Sequence, residues 1–288
     1  MKVSVLTIVR GRKTHLHNQL KGLLQSNVPP SQWVIVGMNE DVSVDLPADA
    51  PFSVKTARVN GNGTQLPLAE ARNLAASLCE TAGMVFLDVD CIPSPTMIAH
   101  FQSALRKDDG LWMGNARYLP LGAAREGWQM ADIQKLAVNH PLQPTLNPGE
   151  LMPSKHYELF WSLCFAISKI GFEKVGGFDD SFDGYGGEDT DFAFAARQAG
   201  IPFGFVGATA YHQHHSVCKP PLNHFNAIVR NAIRFHQKWN VWPMGSWLEA
   251  FAELELVRFD PDANELMILE EPTHQMVQQA ETLSPAGF

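Results

Sequence analysis

Met84-Val85-Phe86-Leu87-Asp88-Val89-Asp90 runs four apolar residues straight into two aspartates one residue apart. Four consecutive apolar side chains suit a strand covered on both faces. Side chains alternate along an extended chain, so Asp88 and Asp90 are expected on one side, about 6.5–7 Å apart. Two carboxylates placed so can share a hard divalent cation, one directly and one through water or a ligand. Oxygen donors of this kind suit Mg²⁺ or Mn²⁺, whose shell is often completed by phosphate oxygens. Pro93 and Pro95 follow at once and stop the strand.

Upstream, Val3–Val9 is a continuous apolar and β-branched run, and residues 15–24 carry Leu16, Leu20, Leu23 and Leu24 at helical spacing before Pro29-Pro30. Short apolar strands are expected at 33–36 and 53–57, and an amphipathic helix at 68–81 with Gly83 as its stop. This strand–helix rhythm predicts an α/β fold with a mostly parallel central sheet flanked by helices. Ligands of such sheets bind beyond the carboxyl ends of the strands.

Downstream the pattern is mixed. Strands are expected at 111–117, 161–168 and 202–207, and a helix at 190–200. Between them, residues 122–156 are broken by Pro141, Pro144, Pro148 and Pro153 and read as a loop or lid. From Asn223 the chain turns helical through Trp239, Trp242 and Trp247. With no internal repeat or low-complexity linker, the organisation expected is one catalytic domain over 1–220 and a helical extension over 221–288 packed on it.

The formal charge, 22 basic against 30 acidic residues or −8, argues against nucleic acid as a partner. No apolar run approaches the roughly 20 residues of a membrane helix, which leaves room only for peripheral membrane contact. Residues 3–9 are too short for a signal peptide and are followed by Arg10, Arg12 and Lys13, so a cytoplasmic protein is expected. Cys79, Cys91, Cys164 and Cys218 lie far apart without a CxxC pair and read as reduced thiols.

Two further segments carry chemistry. Gly176-Gly177-Phe178-Asp179-Asp180 leads to Gly184-Tyr185-Gly186-Gly187-Glu188-Asp189-Thr190-Asp191. Acids in a first helical turn are favoured by the macrodipole, with Asp189 as an N-cap. That alone leaves two glycine pairs and five carboxylates beside aromatics unexplained. Glycine pairs let the backbone turn at positive φ or approach a ligand closely. Further on, Tyr211-His212-Gln213-His214-His215 places imidazoles after a strand, with His212 and His214 on one side if the chain is extended. Carboxylates combined with imidazole point to Mn²⁺ more readily than to structural zinc.

In combination and order, these segments resemble the family 2 glycosyltransferases of GT-A fold, and the second half resembles the galactosyltransferase C-terminal region. The matching pieces are Val3–Val9, Ala71-Arg72-Asn73, Phe86-Leu87-Asp88-Val89-Asp90-Cys91-Ile92-Pro93, Gly176-Gly177-Phe178-Asp179 and Gly186-Gly187-Glu188-Asp189-Thr190-Asp191-Phe192. Tyr211-His212-Gln213 is similar to the metal-histidine segment of bacterial chondroitin-polymerase-type transferases. The resemblance covers residues 1–215. It implies a metal-dependent, inverting transfer of a sugar from a nucleoside diphosphate donor, a UDP-sugar by analogy, to a hydroxyl of a carbohydrate or other acceptor. It implies Mn²⁺ or Mg²⁺ held by Asp90 and His212, with Asp88 serving the metal or the ribose. Asp189 is implied as catalytic base and Glu188 as a grip on sugar hydroxyls. Val9, Arg10, Arg12 and Arg72 would lie by the nucleotide. Glu40 or Asp41 would replace the usual uracil-binding acid, because Val36-Gly37-Met38-Asn39-Glu40-Asp41 departs from the Asp-Asp-Gly-Ser pattern of relatives.

The chemistry accounts for separated acids. A carboxylate must accept the proton of the attacking hydroxyl, while a metal held elsewhere offsets the charge on the departing diphosphate. Trp161 is the tryptophan expected at the acceptor, and Trp239, Trp242 and Trp247 are expected in the core. Two other readings compete. A sugar-phosphate nucleotidyltransferase would want a basic Gly-rich loop after the first strand, which Arg10-Gly11-Arg12 matches poorly, and would leave Gly-Glu-Asp at 187–189 without a role. A non-catalytic sugar-nucleotide-binding protein would tolerate Asp189→Asn.

Overall fold

Strand β1 (Val3–Val9) is buried at all seven positions and divides its side chains between two cores. Leu6 and Ile8 join one cluster and Val3, Val5 and Val9 the other, as alternation along a strand requires. The computed structural model describes residues 1–61 and 65–282. Helix α1 (Lys13–Leu24), β2 (Gln32–Met38), β3 (Ser53–Val59), α2 (Leu68–Ser77) and β4 (Gly83–Leu87) complete the first half. Here β3, β2, β1 and β4 lie side by side in parallel.

The chain continues as β5 (Cys91–Pro93), α3 (Met97–Lys107), β6 (Leu111–Tyr118), α4 (Met130–Leu136), β7 (Val138–Asn139), β8 (Leu151–Ser154), β9 (Cys164–Ser168), α5 (Lys169–Val175), α6 (Glu188–Gln198) and β10 (Phe203–His212). The sheet extends from β4 through β9, β6, β10 and β5. Strand β9 is antiparallel to β4 and β6, β10 is parallel to β6, and β5, β7 and β8 pair antiparallel. The α/β expectation holds, but the sheet is parallel in its first half and mixed in its second. A short apolar strand does not declare its direction; the routing of the chain between strands does.

Helices cover both faces. Ala69, Ala71 and Ala75 of α2, Phe172 of α5 and Phe192 of α6 pack on one side. Leu16, Leu20 and Leu23 of α1 and Phe101 of α3 pack on the other. Helix α2 stops at Ser77, and Gly83 opens β4 instead of ending the helix: a Cβ there would meet Val3 Cγ1 at 2.8 Å. The proline-broken segment is ordered around Trp128 and Ile133, which pack with Ile92, Leu119 and Tyr211. All four cysteines are free. No described helix is long and apolar enough to cross a membrane.

After β11 (Val217–Cys218), helices α7 (Phe225–Trp239) and α8 (Gly245–Glu253) build a separate core from Phe225, Ile228, Leu248 and Phe251. A hairpin of β12 (Val257–Asp260) and β13 (Glu265–Ile268) joins them, so the extension is not wholly helical. Lys238 and Trp239 at the end of α7 reach the first turn of α6, where both bond Asp191.

Candidate active site

The turn after β4 does not continue the strand. The Cys91 N–H donates to the Asp88 carbonyl at 2.9 Å and closes a tight reversal. Alternation is therefore lost, and the two aspartates face different partners. Asp90 Oδ1 lies 2.6 Å from Arg12 Nη1 and 2.9 Å from His15 Nδ1, and its Oδ2 lies 3.7 Å from His215 Nε2. Asp88 faces Arg72 instead, at 3.6 Å.

Strand β5 pairs His212 of β10 with Cys91, which brings the turn and the end of β10 together. Asp90, His212 and His215 each offer a donor atom within 4.8 Å of the others. His212 Nδ1 is buried without a hydrogen-bond partner, while the ring rests on Tyr118 at 4.8 Å. Two imidazoles, a carboxylate and an orphaned buried nitrogen suit a divalent transition ion. Burial, only partly offset by Asp90, lowers His212 to about 4, so its ring is neutral and its lone pair free near pH 7. Burial works against the Asp90 charge, but the His15 bond and the Arg12 charge outweigh it and hold the carboxyl below its ordinary range.

This group differs from the expected one. Asp88 is outside it because of the turn, and His215 takes the place that alternation would give His214. The chain leaves the strand after His212, and the rings of His212 and His215 come to 5.2 Å. His15 was not singled out in the sequence. Its signal was its position one helical turn after Arg12.

The second acidic segment folds around glycines. Gly187 caps α6 at φ +86°, a conformation few other residues adopt, so Glu188 and Asp189 both lie in the first turn and Asp189 is not the cap. Glu188 is buried against Arg72, Oε1 to Nη1 at 3.1 Å, and Arg72 also donates to Ser162 Oγ at 2.8 Å. Burial opposes the Arg72 charge, but Asp88, Glu188 and Asp189 outweigh it and raise its pKa. Arg72 thus sits at the floor of the site between the two acidic segments. Asp191 is spent on Lys238 and Trp239, and Asp179 on Lys238.

Asp189 remains. It accepts the Thr190 N–H at 2.7 Å, and no cation lies within ion-pair distance of it among the described residues. Burial first, then the Glu188 charge, raise it to about 7 against the pull of Arg72. Asp88 is raised to about 6, by burial and then Asp90, with Arg72 opposing. A carboxyl poised near neutrality can take and return a proton.

The expected nucleotide side is assembled in part. Val9 is buried where β1 ends, and Arg10 is exposed. The Gly11 N–H donates to Glu40 Oε1 at 2.7 Å, joining the loops after β1 and β2. Asp41 is 87% exposed and pairs with Arg58 at 3.3 Å, away from that junction. Trp161, partly buried, meets His140 edge-on at 4.7 Å, and His140 lies 5.8 Å from Tyr118.

Comparison with known proteins bears on the fold. Residues 147–216, which include Trp161, Glu188, Asp189, His212 and His215, match the N-terminal domain of galactosyltransferase. No curated protein matches the chain. Among solved structures, S. aureus TarS 1-349 aligns at TM-score 0.53 with 14% identity, over 82% of this chain and 66% of that one. GalNAc-T7, solved with UDP, GalNAc and Mn²⁺, aligns at 0.52 with 14% identity, over 88% of this chain and 57% of that one. TarS 1-349 has also been solved with UDP-GlcNAc, and aligns at 0.53 with 14% identity over 89% of this chain and 72% of that one. The chain therefore spans 66% of the first of these and 57% of GalNAc-T7. It has the fold of the GT-A glycosyltransferases, and residues 147–216 are similar to the N-terminal domain of galactosyltransferase.

Proposed function

We propose that this protein transfers a sugar from a nucleoside diphosphate donor, a UDP-sugar, to a hydroxyl acceptor, with a divalent ion and with inversion at the anomeric carbon. The observation that carries the reading is the division of acids between two segments joined by Arg72. Asp90 stands with His212 and His215, while Asp189 stands on α6 without a direct ion pair among the described residues. That TarS and GalNAc-T7 were solved with UDP or UDP-sugar supports a uridine donor.

Asp90, His212 and His215 would hold the ion, Mn²⁺ more readily than Mg²⁺ because two donors are imidazoles. A bound divalent ion would offset the charge that builds on the leaving diphosphate. Arg12, which lies against Asp90, is placed to reach the same phosphates. Glu40 holds the loop carrying Arg12 toward β2, on the side where the base would lie. Asp189 accepts the proton of the acceptor hydroxyl as that oxygen attacks the anomeric carbon. Glu188, fixed by Arg72, presents its second carboxylate oxygen to a sugar hydroxyl. Trp161 offers a ring face to the acceptor.

Incubation with a panel of UDP- and GDP-sugars, Mn²⁺ and candidate acceptors tests this by release of nucleoside diphosphate. Turnover is expected with a UDP-sugar, lost in EDTA and lost in Asp189→Asn. Release that continues undiminished in Asp189→Asn would remove the base, and tight donor binding in EDTA would remove the metal.

A further inference from the structure

Two neighbouring amides of α1, Asn18 and Gln19, are buried, at 6% and 0% exposure. Each belongs to a hydrogen-bond relay that starts at an indole and ends at the turn bearing Asp90.

The first relay starts at Trp33, whose Nε1–H donates to Thr7 Oγ1 at 3.0 Å. The Thr7 hydroxyl accepts that bond and gives its own proton onward, to Gln19 Oε1 at 2.8 Å. Two carbonyls of the turn, which can only accept, fix which way the Gln19 amide faces. Both protons of its Nε2 are then spent on the turn, one on the Asp88 carbonyl at 2.8 Å and one on the Cys91 carbonyl at 2.9 Å.

In the second relay the indole itself orients the amide. Trp128 Nε1–H donates to Asn18 Oδ1 at 2.9 Å, which turns the Asn18 amine toward Ala124 O at 3.0 Å and Gln213 Oε1 at 2.7 Å. The Gln213 amine in turn meets His15 O at 3.1 Å and Val89 O at 3.5 Å, and its backbone N–H donates to Asp90 O at 2.6 Å. Every carbonyl from Asp88 to Cys91 is thereby engaged, and Gln213 directly follows His212.

We propose that Gln19 and Asn18 are positioning residues that hold the Asp88–Cys91 turn in the one conformation aiming Asp90 at His212 and His215. The inference rests on the reading of those three residues as the metal site. Neither amide contacts the ion; each acts through Asp90 and Gln213. A turn freed of these bonds would sample orientations in which its carboxylate and the imidazoles no longer converge, and affinity would fall without loss of any ligand. Two carbonyls in the first relay and the Trp128 indole in the second allow only one amide orientation each: a flipped Gln19 would set its oxygen against the Asp88 and Cys91 carbonyls, and a flipped Asn18 would leave the indole N–H unpaired.

The test is Mn²⁺ affinity of the full chain, read from the free-ion electron paramagnetic resonance signal, with thermal unfolding alongside. Gln19→Met keeps the bulk and removes both donors, and is expected to weaken Mn²⁺ binding by about tenfold or more. Trp128→Phe removes one buried indole N–H and keeps an aromatic ring in its place, and about a threefold loss is expected. Gln32→Met serves as the control: Gln32 is also a buried amide, bonded to Ser4 Oγ at 3.0 Å, but its side chain makes no hydrogen bond to a member of either relay. It should lower stability and leave Mn²⁺ affinity unchanged. Folded Gln19→Met binding Mn²⁺ as the wild type does would overturn the proposal, as would an equal loss in Gln32→Met. If Gln19→Met does not fold, Trp128→Phe decides by the same criterion. A wild-type chain that binds no Mn²⁺ would remove the metal reading itself, a failure distinct from unchanged affinity in the variants.

Discussion

Arg72 and Glu188, 116 residues apart, form an ion pair of 3.1 Å in which the two residues are only 4% and 5% exposed. Arg72 also faces Asp88 at 3.6 Å, so one guanidinium compensates acids from both ends of the candidate site. Taking a charge out of water is tolerable only when it is paired, and removal of one partner leaves the other stranded.

Arg72→Met is therefore expected to destabilise the protein by about 3 kcal/mol or more at neutral pH. The stranded carboxyls would bind protons more tightly in the folded state, so the loss should shrink as pH falls toward 5. Denaturant unfolding of both proteins at pH 5 and 8 checks this; a deficit independent of pH would argue against stranded charge.

Asp189→Asn should lower turnover by about 10²–10⁴-fold, the usual worth of a positioned base. In the wild type, turnover should climb through pH 7 as Asp189 ionises. Its folded value lies above the ordinary 3.8, so the folded state holds this proton the more tightly. The stabilisation is full below the ordinary value and is lost as pH rises toward about 7. Asp189→Asn, which cannot ionise, should gain melting temperature relative to wild type across that window and keep the gain above it.

His215→Ala is expected to weaken Mn²⁺ binding at least tenfold, whereas Asp88→Asn should change it much less, because Asp88 faces Arg72 and not the imidazoles. Paired Mn²⁺ titrations give the ranking. A larger effect from Asp88 than from His215 would return the ligand to the place that strand alternation predicts.

Asn231 on α7 donates to the Gly186 carbonyl at 2.9 Å and to Asp183 O at 3.2 Å, so the C-terminal core braces the glycine loop before Asp189. Asn231→Leu takes the donor from the buried Gly186 carbonyl, while Asp183 O keeps Arg230 at 2.8 Å, and should cost about 1–3 kcal/mol of stability. Activity measured well below the melting temperature should fall as well, through a loosened loop. Unchanged kcat in a destabilised variant would show the brace to be structural only.

The α/β class, the order of β1 to β4 and the two acidic segments are legible in the amino-acid sequence. Apolar runs, helical spacing and glycine pairs are local signals, and they need no partner to be read. Asp90, Glu188, Asp189 and His212 stand out on the same local grounds. What only the tertiary structure decides is which of these groups meet. The turn at Asp88–Cys91 breaks an alternation the sequence invites, and so sends Asp88 to Arg72 and leaves Asp90 for the histidines. His15 and His215 enter because α1 and the chain beyond β10 converge on that turn, and Asp191 becomes structural because α7 returns to α6. The direction of β9 depends on chain routing in the same way. Each of these depends on contacts between residues far apart in the chain, and those contacts exist only once the core has closed.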